Sequence, residues 1–235
     1  MTESSSLDDV RAQYEALPYP PRDPRDEAIR LITGTPSHIL EINHYLFAGR
    51  LSFNRPFRAL VAGGGTGDAC IMLAQQLADR RCPGEVVYLD LSTASRAICE
   101  ARAKARGLRN IQFLTGSLLD LPNMNIGLFD YIDCTGVLHH LPDPAAGMKA
   151  LAAVLQPEGG VGVMLYGQYG RTGVYPLQEM LRTLLEFGNT AALPHIVVER
   201  AIKATAHASA YCEFRITGFA RKCLPQAQAR TAVLP

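Results

Sequence analysis

The chain has 235 residues and a formal net charge of +1; 48% of its residues are hydrophobic and 19% are charged. This length and composition are typical of one folded domain, and the small net charge provides no overall field that would attract nucleic acid or an anionic membrane. No run approaches the roughly 20 apolar residues of a membrane span, the chain begins with polar residues, and its six cysteines form no C-x-x-C pair. We therefore expect a cytoplasmic protein without a metal site.

Residues 1–50 predict a helical extension in front of the main fold. Apolar residues at helical spacing predict a helix over 7–17, and the four prolines between residues 18 and 24 predict an extended segment. A second helix is predicted from Ser37, as its N-cap, to Ala48, and Gly49 is expected to end it. This extension could cover an active site as a lid, or it could pack as a simple N-terminal arm.

From residue 58 onward, short apolar segments alternate with helical patterns. Strands are predicted at 58–62, 86–90, 111–114, 131–134 and 161–166, helices at 66–79, 93–105 and 144–155, and a turn at 157–160. This alternation predicts an α/β fold with a doubly wound, mostly parallel sheet. Ligands bind such sheets outside the carboxyl ends of the strands, so the loops that follow the strands are the expected site.

The pattern weakens in the C-terminal part, residues 167–235. A helix is predicted over 176–187. Residues 195–217 could form a helix or one or two strands, with 211–217 as the best strand candidate, and the last dozen residues are expected to form a loose tail. We expect one domain made of the extension, a core at 58–166, and this C-terminal part, whose sheet edge could be incomplete.

The first strand ends in a glycine loop that contains Gly63, Gly64, Gly65 and Gly67. Glycine permits positive φ and allows a ligand to lie against the backbone, and the helix that follows offers free N–H groups. The alternative is a tight turn that binds nothing. Because Asp68 follows Gly67, the loop is neither a P-loop nor a good pyrophosphate site, and it suits a ligand with an amino-acid end.

Asp90 stands at the end of the second strand. A carboxylate there can accept hydrogen bonds from two ribose hydroxyls. It could instead cap the next helix, but Ser92 can fill that role. The glycine loop and Asp90 together indicate an adenosine-bearing ligand.

The chain resembles the class I S-adenosylmethionine-dependent methyltransferases over about residues 58–166. Five segments carry the resemblance in the order and spacing of that family: LVAGGGTG at 60–67, YLDLS at 88–92, FLTGSLLDLP at 113–122, FDYIDCTGVLHHLPDP at 129–144 and LQPEGG at 155–160. The resemblance implies a Rossmann-like fold, S-adenosylmethionine as the cofactor, and transfer of its methyl group to an acceptor.

The resemblance also implies a role for each motif. The glycine loop would hold the methionine part of the cofactor and Asp90 its ribose. The other implied contacts are Leu91 on the adenine, Ser117 and Leu118 at the adenine edge, and Thr135 with Gly136 beside the methionine part. Two positions depart from the family pattern, because Val61 and Ser117 stand where members usually or often carry an acid. Asp68 could compensate for the first, or it could cap its helix.

His139 and His140 are the best candidates for a catalytic base, because they follow the fourth strand and imidazole titrates near neutral pH. Each could equally be a loop histidine that packs on the cofactor. Four tyrosines could line the acceptor pocket: Tyr14, Tyr19, Tyr166 and Tyr169.

The fourth-strand loop lacks the Asn/Asp-Pro-Pro-Tyr motif of amino-group methylation and resembles small-molecule methyltransferases, which favours a small acceptor. The alternative is a non-catalytic protein of the same fold that regulates or supports a partner, and an incomplete sheet edge would need a second copy or another protein. A nicotinamide-dependent oxidoreductase is disfavoured by Asp68.

Overall fold

The computed structural model describes residues 3–34, 36–167 and 216–221, together with Thr172 and Pro176. The helices are α1 (Glu3–Ala16), α2 (Ile39–Phe47), α3 (Asp68–Asp79), α4 (Thr93–Ala105) and α5 (Pro144–Ala153). The strands are β1 (Arg58–Ala62), β2 (Glu85–Asp90), β3 (Ile111–Thr115), β4 (Phe129–Thr135), β5 (Leu155–Leu165) and β6 (Ile216–Arg221). Short 3-10 helices lie at Pro24–Ala28, Leu118–Asn123 and Leu138–His140.

The strands form one sheet in the order β3-β2-β1-β4-β5-β6. Pairing is parallel between β1 and β2, β1 and β4, β2 and β3, and β4 and β5. The carboxyl ends of β1 to β5 therefore meet at one edge. The strand order reverses between β1 and β4, which is where sheets of this kind form a ligand crevice. The predicted α/β fold with a helical N-terminal extension is confirmed.

Two hydrophobic clusters cover the two faces of the sheet. Side chains alternate along β1, so Ala59 and Val61 pack in one cluster with residues of α2 and α3, and Leu60 and Ala62 pack in the other with residues of α5. The side chains of these four β1 residues are all buried. This double coverage explains why the strands of the core read as short apolar runs rather than alternating patterns.

The bounds of β1 and α4 agree with the sequence prediction, and Ser92 is the N-cap of α4 as expected. The predicted caps of α2 were wrong. His38 is the N-cap, because the Ser37 hydroxyl is buried and donates to Asp133. The helix ends at Phe47, and its C-cap is Ala48, which takes the left-handed conformation at φ 52° one residue before the expected Gly49.

The predicted turn at 157–160 was also wrong, because these residues lie within β5. Phe129 pairs with Leu155 but Tyr131 pairs with Gly160, so β5 is irregular between the two pairs. A proline and two glycines are tolerated there because an irregular stretch of strand leaves backbone groups outside the ladder.

Residues 1–165 and 217–235 belong to one compact unit and residues 166–216 to a second, and the site described below lies in the first. The predicted helix over 176–187, except Pro176, and the predicted tail lie outside the described residues. Of the strand predicted at 211–217, residues 211–215 lie outside the described residues, and residues 216 and 217 lie in β6. None of the helices in the described part is long and apolar enough to cross a membrane.

Candidate active site

The glycine loop leaves β1 with three glycines at positive φ: Gly63 at 76°, Gly65 at 51° and Gly67 at 102°. The N–H groups of Gly63 and Gly64 donate to the carbonyl oxygen of Leu89 on β2 at 2.8 and 3.1 Å. These conformations are unfavourable for residues with a Cβ. The backbone itself therefore requires glycine at three of the four predicted positions.

The loop is also packed closely against its neighbours. A Cβ on Gly63 would overlap Val137, one on Gly64 would overlap the Tyr88 ring, and one on Gly67 would overlap the Cys99 sulfur. The glycines therefore allow the loop to press onto β2, α4 and the loop after β4. At its four glycines the loop presents backbone rather than side chains at the switch point of the sheet. Such a surface suits the amino-acid end of a ligand.

Asp90 holds this loop in place. One carboxylate oxygen accepts from Gly65 N at 2.7 Å and the other from Ser92 N at 2.8 Å. Burial raises the pKa of Asp90, and these backbone N–H groups act against that rise. Each carboxylate oxygen has a second lone pair, so Asp90 can still accept from the hydroxyls of a ribose.

The two residues predicted at the adenine edge differ in exposure. Ser117 caps the 3-10 helix at Leu118–Asn123, where its hydroxyl accepts from Leu119 N at 3.2 Å. The Leu118 side chain is 6% exposed and packs in the second hydrophobic cluster. An adenine contact at this position would therefore involve backbone atoms. Leu91 is half-buried in the loop after β2.

The loop after β4 brings Thr135, Gly136 and the two histidines to the same edge. Gly136 has φ 75° and its N–H donates to Met164 on β5 at 3.0 Å. His139 and His140 lie in a 3-10 helix, with ring centroids 4.3 Å apart. The two predicted base candidates therefore lie just after β4, the strand that pairs with β1.

The N-terminal extension lies across these loops. The Tyr14 hydroxyl is 3.3 Å from His140 Nε2, and the Tyr14 carbonyl accepts from the Ser92 hydroxyl at 3.1 Å. Thr66 donates to Tyr19 O from its N–H at 3.3 Å and to Pro20 O from its hydroxyl at 2.7 Å. The segment therefore touches the loops after β1, β2 and β4, and it is a packed arm positioned where a lid would be.

An ion cluster attaches this arm to the core. Arg22 contacts both carboxylate oxygens of Asp68 at 2.9 and 2.6 Å, and Arg102 contacts Asp68 at 2.7 Å and Glu27 at 2.6 Å. Arg106 also pairs with Glu27. Burial acts to raise the pKa of Asp68, but the two arginines outweigh it and lower that pKa. Asp68 thus serves in ion pairs with residues 46 and 34 positions away, which no local pattern could have indicated.

Sequence reasoning also missed Asp133. Its side chain on β4 is 2% exposed, and it accepts hydrogen bonds from the Ser37 hydroxyl and, at 3.1 Å, from Thr135 N. Burial raises its pKa. The signal available in the sequence was an acid in the middle of an apolar strand. Within the described residues, no group of His, Cys, Asp and Glu side chains is placed to hold a metal ion.

Comparison with known proteins agrees with this geometry. Residues 60–161 match the family model described as "Methyltransferase domain". An uncharacterized protein of Synechococcus is 35% identical over 182 residues, covering 74% of this chain and 40% of that protein. The demethylmenaquinone methyltransferase of Geobacillus kaustophilus is 34% identical over 110 residues, covering 47% of this chain and 45% of that enzyme.

A ubiquinone biosynthesis O-methyltransferase of Acinetobacter baumannii is 29% identical over 99 residues, covering 42% of this chain and 38% of that enzyme. The chain therefore spans less than half the length of these curated relatives. The similarity to the two named enzymes extends over less than half of this chain as well.

The parallel sheet with a glycine loop and an acid at its switch point defines a Rossmann-like domain for an adenosine-bearing cofactor. The family match and these relatives support a class I S-adenosylmethionine-dependent methyltransferase domain over residues 60–161, and this domain implies S-adenosylmethionine as the cofactor. The predicted family and cofactor are confirmed. The roles of the individual site residues stay predictions.

Proposed function

We propose that the protein transfers the methyl group of S-adenosylmethionine to a small molecule that carries a hydroxyl group on an aromatic ring. The observation that carries this proposal is the Tyr14–His140 pair at the sheet edge that also holds the glycine loop and Asp90. When bound, the cofactor supplies an electrophilic methyl group on a sulfonium. The protein's own tasks are to hold the cofactor, align the acceptor and remove a proton.

The cofactor contacts that we propose follow from the loops at this edge. The backbone of the glycine loop receives the amino-acid end, and the Asp90 carboxylate accepts from the ribose hydroxyls. The remaining contacts are with Leu91, Ser117, the backbone of Leu118, and Thr135. The half-buried carboxylate of Asp90 supports this placement, because its hydrogen bond with Gly65 N fixes it beside the glycine loop.

His140 is the proposed base. The Tyr14 hydroxyl, 3.3 Å from Nε2, orients the imidazole, and a neutral imidazole can take a proton from a phenolic hydroxyl. His139, whose ring adjoins that of His140, is the second candidate. The names of two relatives, a demethylmenaquinone methyltransferase and a ubiquinone biosynthesis O-methyltransferase, support a ring hydroxyl or ring carbon as the acceptor.

The test combines calorimetry with S-adenosylhomocysteine and transfer of labelled methyl from S-adenosylmethionine to a panel of catechols and hydroquinones. His140→Gln should lower the turnover number by about 10²-fold or more, with unchanged affinity for S-adenosylhomocysteine. His44→Gln is the matched control, because His44 also lies beside a tyrosine ring but on α2. Cofactor binding without methylation of any phenol would overturn the acceptor class.

A non-catalytic role is the second candidate, and one observation favours it. The Tyr19 carbonyl oxygen would lie 2.7 Å from a Cβ on Gly65, so the arm rests directly on the glycine loop. If the arm excluded the cofactor, calorimetry would detect no binding of S-adenosylhomocysteine. A cytoplasmic location, a second copy or protein partner at the sheet edge, and no role for nucleic acid remain parts of the proposal.

A further inference from the structure

Asp133 lacks the arginine partners that two other acids near the site have. Glu27 is paired with two arginines and Asp68 with two arginines. Asp133 is 2% exposed, yet the groups that stabilise its charge are the neutral Ser37 hydroxyl and Thr135. No lysine, arginine or histidine of the described residues forms an ion pair with it. A buried carboxylate is costly unless a cation or enough donors compensate it.

Asp133 lies on β4 beside the end of β1. It stands in register with Val61 on β1, two residues before the glycine loop begins. On its other side it pairs with Gly162 of β5, where Tyr131 and Pro36 fill the space that a side chain would take. Thr135, which follows two residues later, ends β4. Asp133 is therefore two residues from the carboxyl end of β4, at the two strands that form the switch point.

We propose that Asp133 binds the α-ammonium group of the cofactor's methionine end. This inference depends on S-adenosylmethionine being the cofactor. The Ser37 hydroxyl donates to one carboxylate oxygen and Thr135 N to the other, which orients the group and leaves a lone pair on each oxygen. An ammonium group would supply the cation that none of the described residues provides.

The alternative is a purely structural role. The Ser37 hydrogen bond ties the segment before α2 to β4, and Tyr131, two residues before Asp133, bonds to the same segment through Pro36 O at 3.0 Å. A carboxylate that served only this tie would not distinguish ligands with an ammonium group from ligands without one. Ligand selectivity therefore distinguishes the two roles, whereas the stability of the variant does not.

The experiment is calorimetry with three ligands on the full chain and on Asp133→Asn. S-adenosylhomocysteine and decarboxylated S-adenosylmethionine carry the ammonium group, whereas 5′-methylthioadenosine does not. The variant should bind the first two about tenfold to a hundredfold more weakly, because a charged hydrogen bond is lost, and should bind the third unchanged. Equal losses for all three ligands, or no loss, would overturn the proposal.

Asp130→Asn is the matched control. Asp130 lies on the same strand and also accepts from a backbone N–H, that of Arg58 at 2.8 Å, but at the opposite end of the sheet. Its affinities should equal those of the unaltered chain. If the unaltered chain binds none of the three ligands, the cofactor assignment fails, which is a different result from unchanged affinities in Asp133→Asn.

A second measurement uses the unaltered chain and therefore does not depend on whether a variant folds. The side-chain carboxyl carbon of Asp133, assigned by ¹³C NMR in the unaltered chain, should shift when S-adenosylhomocysteine is added and not when 5′-methylthioadenosine is added. Equal shifts with both ligands, or none with either at saturation, would contradict an ammonium contact.

Discussion

Three aspartates around the site are compensated in three different ways. Asp68 is held by two guanidinium groups, Asp90 by two backbone N–H groups, and Asp133 by a hydroxyl and one backbone N–H. The pKa of Asp68 is lowered by its arginines, whereas burial raises the pKa values of Asp90 and Asp133. The charged form of Asp68 therefore stabilises the fold, whereas burial disfavours the charged forms of Asp90 and Asp133 unless a ligand compensates them.

Asp90→Ala should weaken binding of S-adenosylmethionine by about tenfold or more, because a charged acceptor for the ribose is lost. The change also leaves Gly65 N and Ser92 N without their acceptor, so the loop should loosen. Calorimetry measures the affinity. Asp79→Ala, at the exposed end of α3, is the control, and equal affinity in Asp90→Ala and the control would show that the ribose lies elsewhere.

Asp133→Asn should raise the melting temperature at neutral pH in the absence of ligand. Burial makes the pKa of Asp133 higher in the folded state than in the unfolded state. The folded state therefore loses stability as the pH rises from the unfolded pKa through the folded pKa, and it loses none at lower pH. The gain should therefore be absent at about pH 3, where an ordinary aspartate is protonated. Calorimetric melting at both pH values measures it; the same difference at both would indicate a packing effect instead.

At the scale of elements, the N-terminal extension is attached to the core by two kinds of contact. Some are neutral hydrogen bonds, such as those of Thr66 with Tyr19 O and Pro20 O. Others involve charged side chains: Arg22 pairs with Asp68 directly after the glycine loop, and Glu27 of the 3-10 helix at Pro24–Ala28 pairs with Arg102 and Arg106. Both kinds of contact hold the extension over the site.

Glu27→Ala should destabilise the protein by about 3 kcal/mol, because it leaves the 1% exposed Arg102 side chain without one of its carboxylates. Chemical denaturation measures the free energy of unfolding. Arg25→Ala is the control, since it breaks a pair in which the Arg25 side chain is 90% exposed, and the stability of this variant should be nearly unchanged. Similar small effects for both variants would mean that the cluster contributes little.

At the scale of the whole molecule, the topology gathers distant segments at one edge. The strand order places the ends of β1, β2 and β4 side by side, and the extension spans all three loops. The site therefore combines residues that lie as far apart in the sequence as Tyr14 and His140. Binding of a ligand beneath the extension should depend on the position of the extension.

S-adenosylhomocysteine at about 100 times its dissociation constant should add about 2.7 kcal/mol to the free energy of unfolding, and dialysis of the ligand should reverse this. The bound ligand should also slow amide hydrogen exchange in residues 14–22, because closure of the extension over the crevice protects those amides. Thermal melting and exchange mass spectrometry measure the two effects. Slower exchange at the glycine loop without slower exchange at 14–22 would show that the extension does not act as a lid.

The sequence by itself determined the core of the fold and the identity of the cofactor. Apolar runs and helical periods predicted β1 and α4 with their observed bounds, and the spacing of the glycine loop and Asp90 pointed to an adenosine ligand. These signals are local, because backbone conformation and side-chain periodicity act over a few residues. Predictions failed where a local rule competed with a distant partner: Ser37 is a poor N-cap for α2 because Asp133, 96 residues away, engages its hydroxyl.

Only the tertiary structure decided which polar groups meet. It gave Asp68 its arginines, placed the extension on the glycine loop, brought Tyr14 to His140 across 126 residues, and buried Asp133 without a cationic side chain from the described residues. Such pairings depend on how the strands are ordered and where the extension packs, and neither is encoded in a short window of sequence.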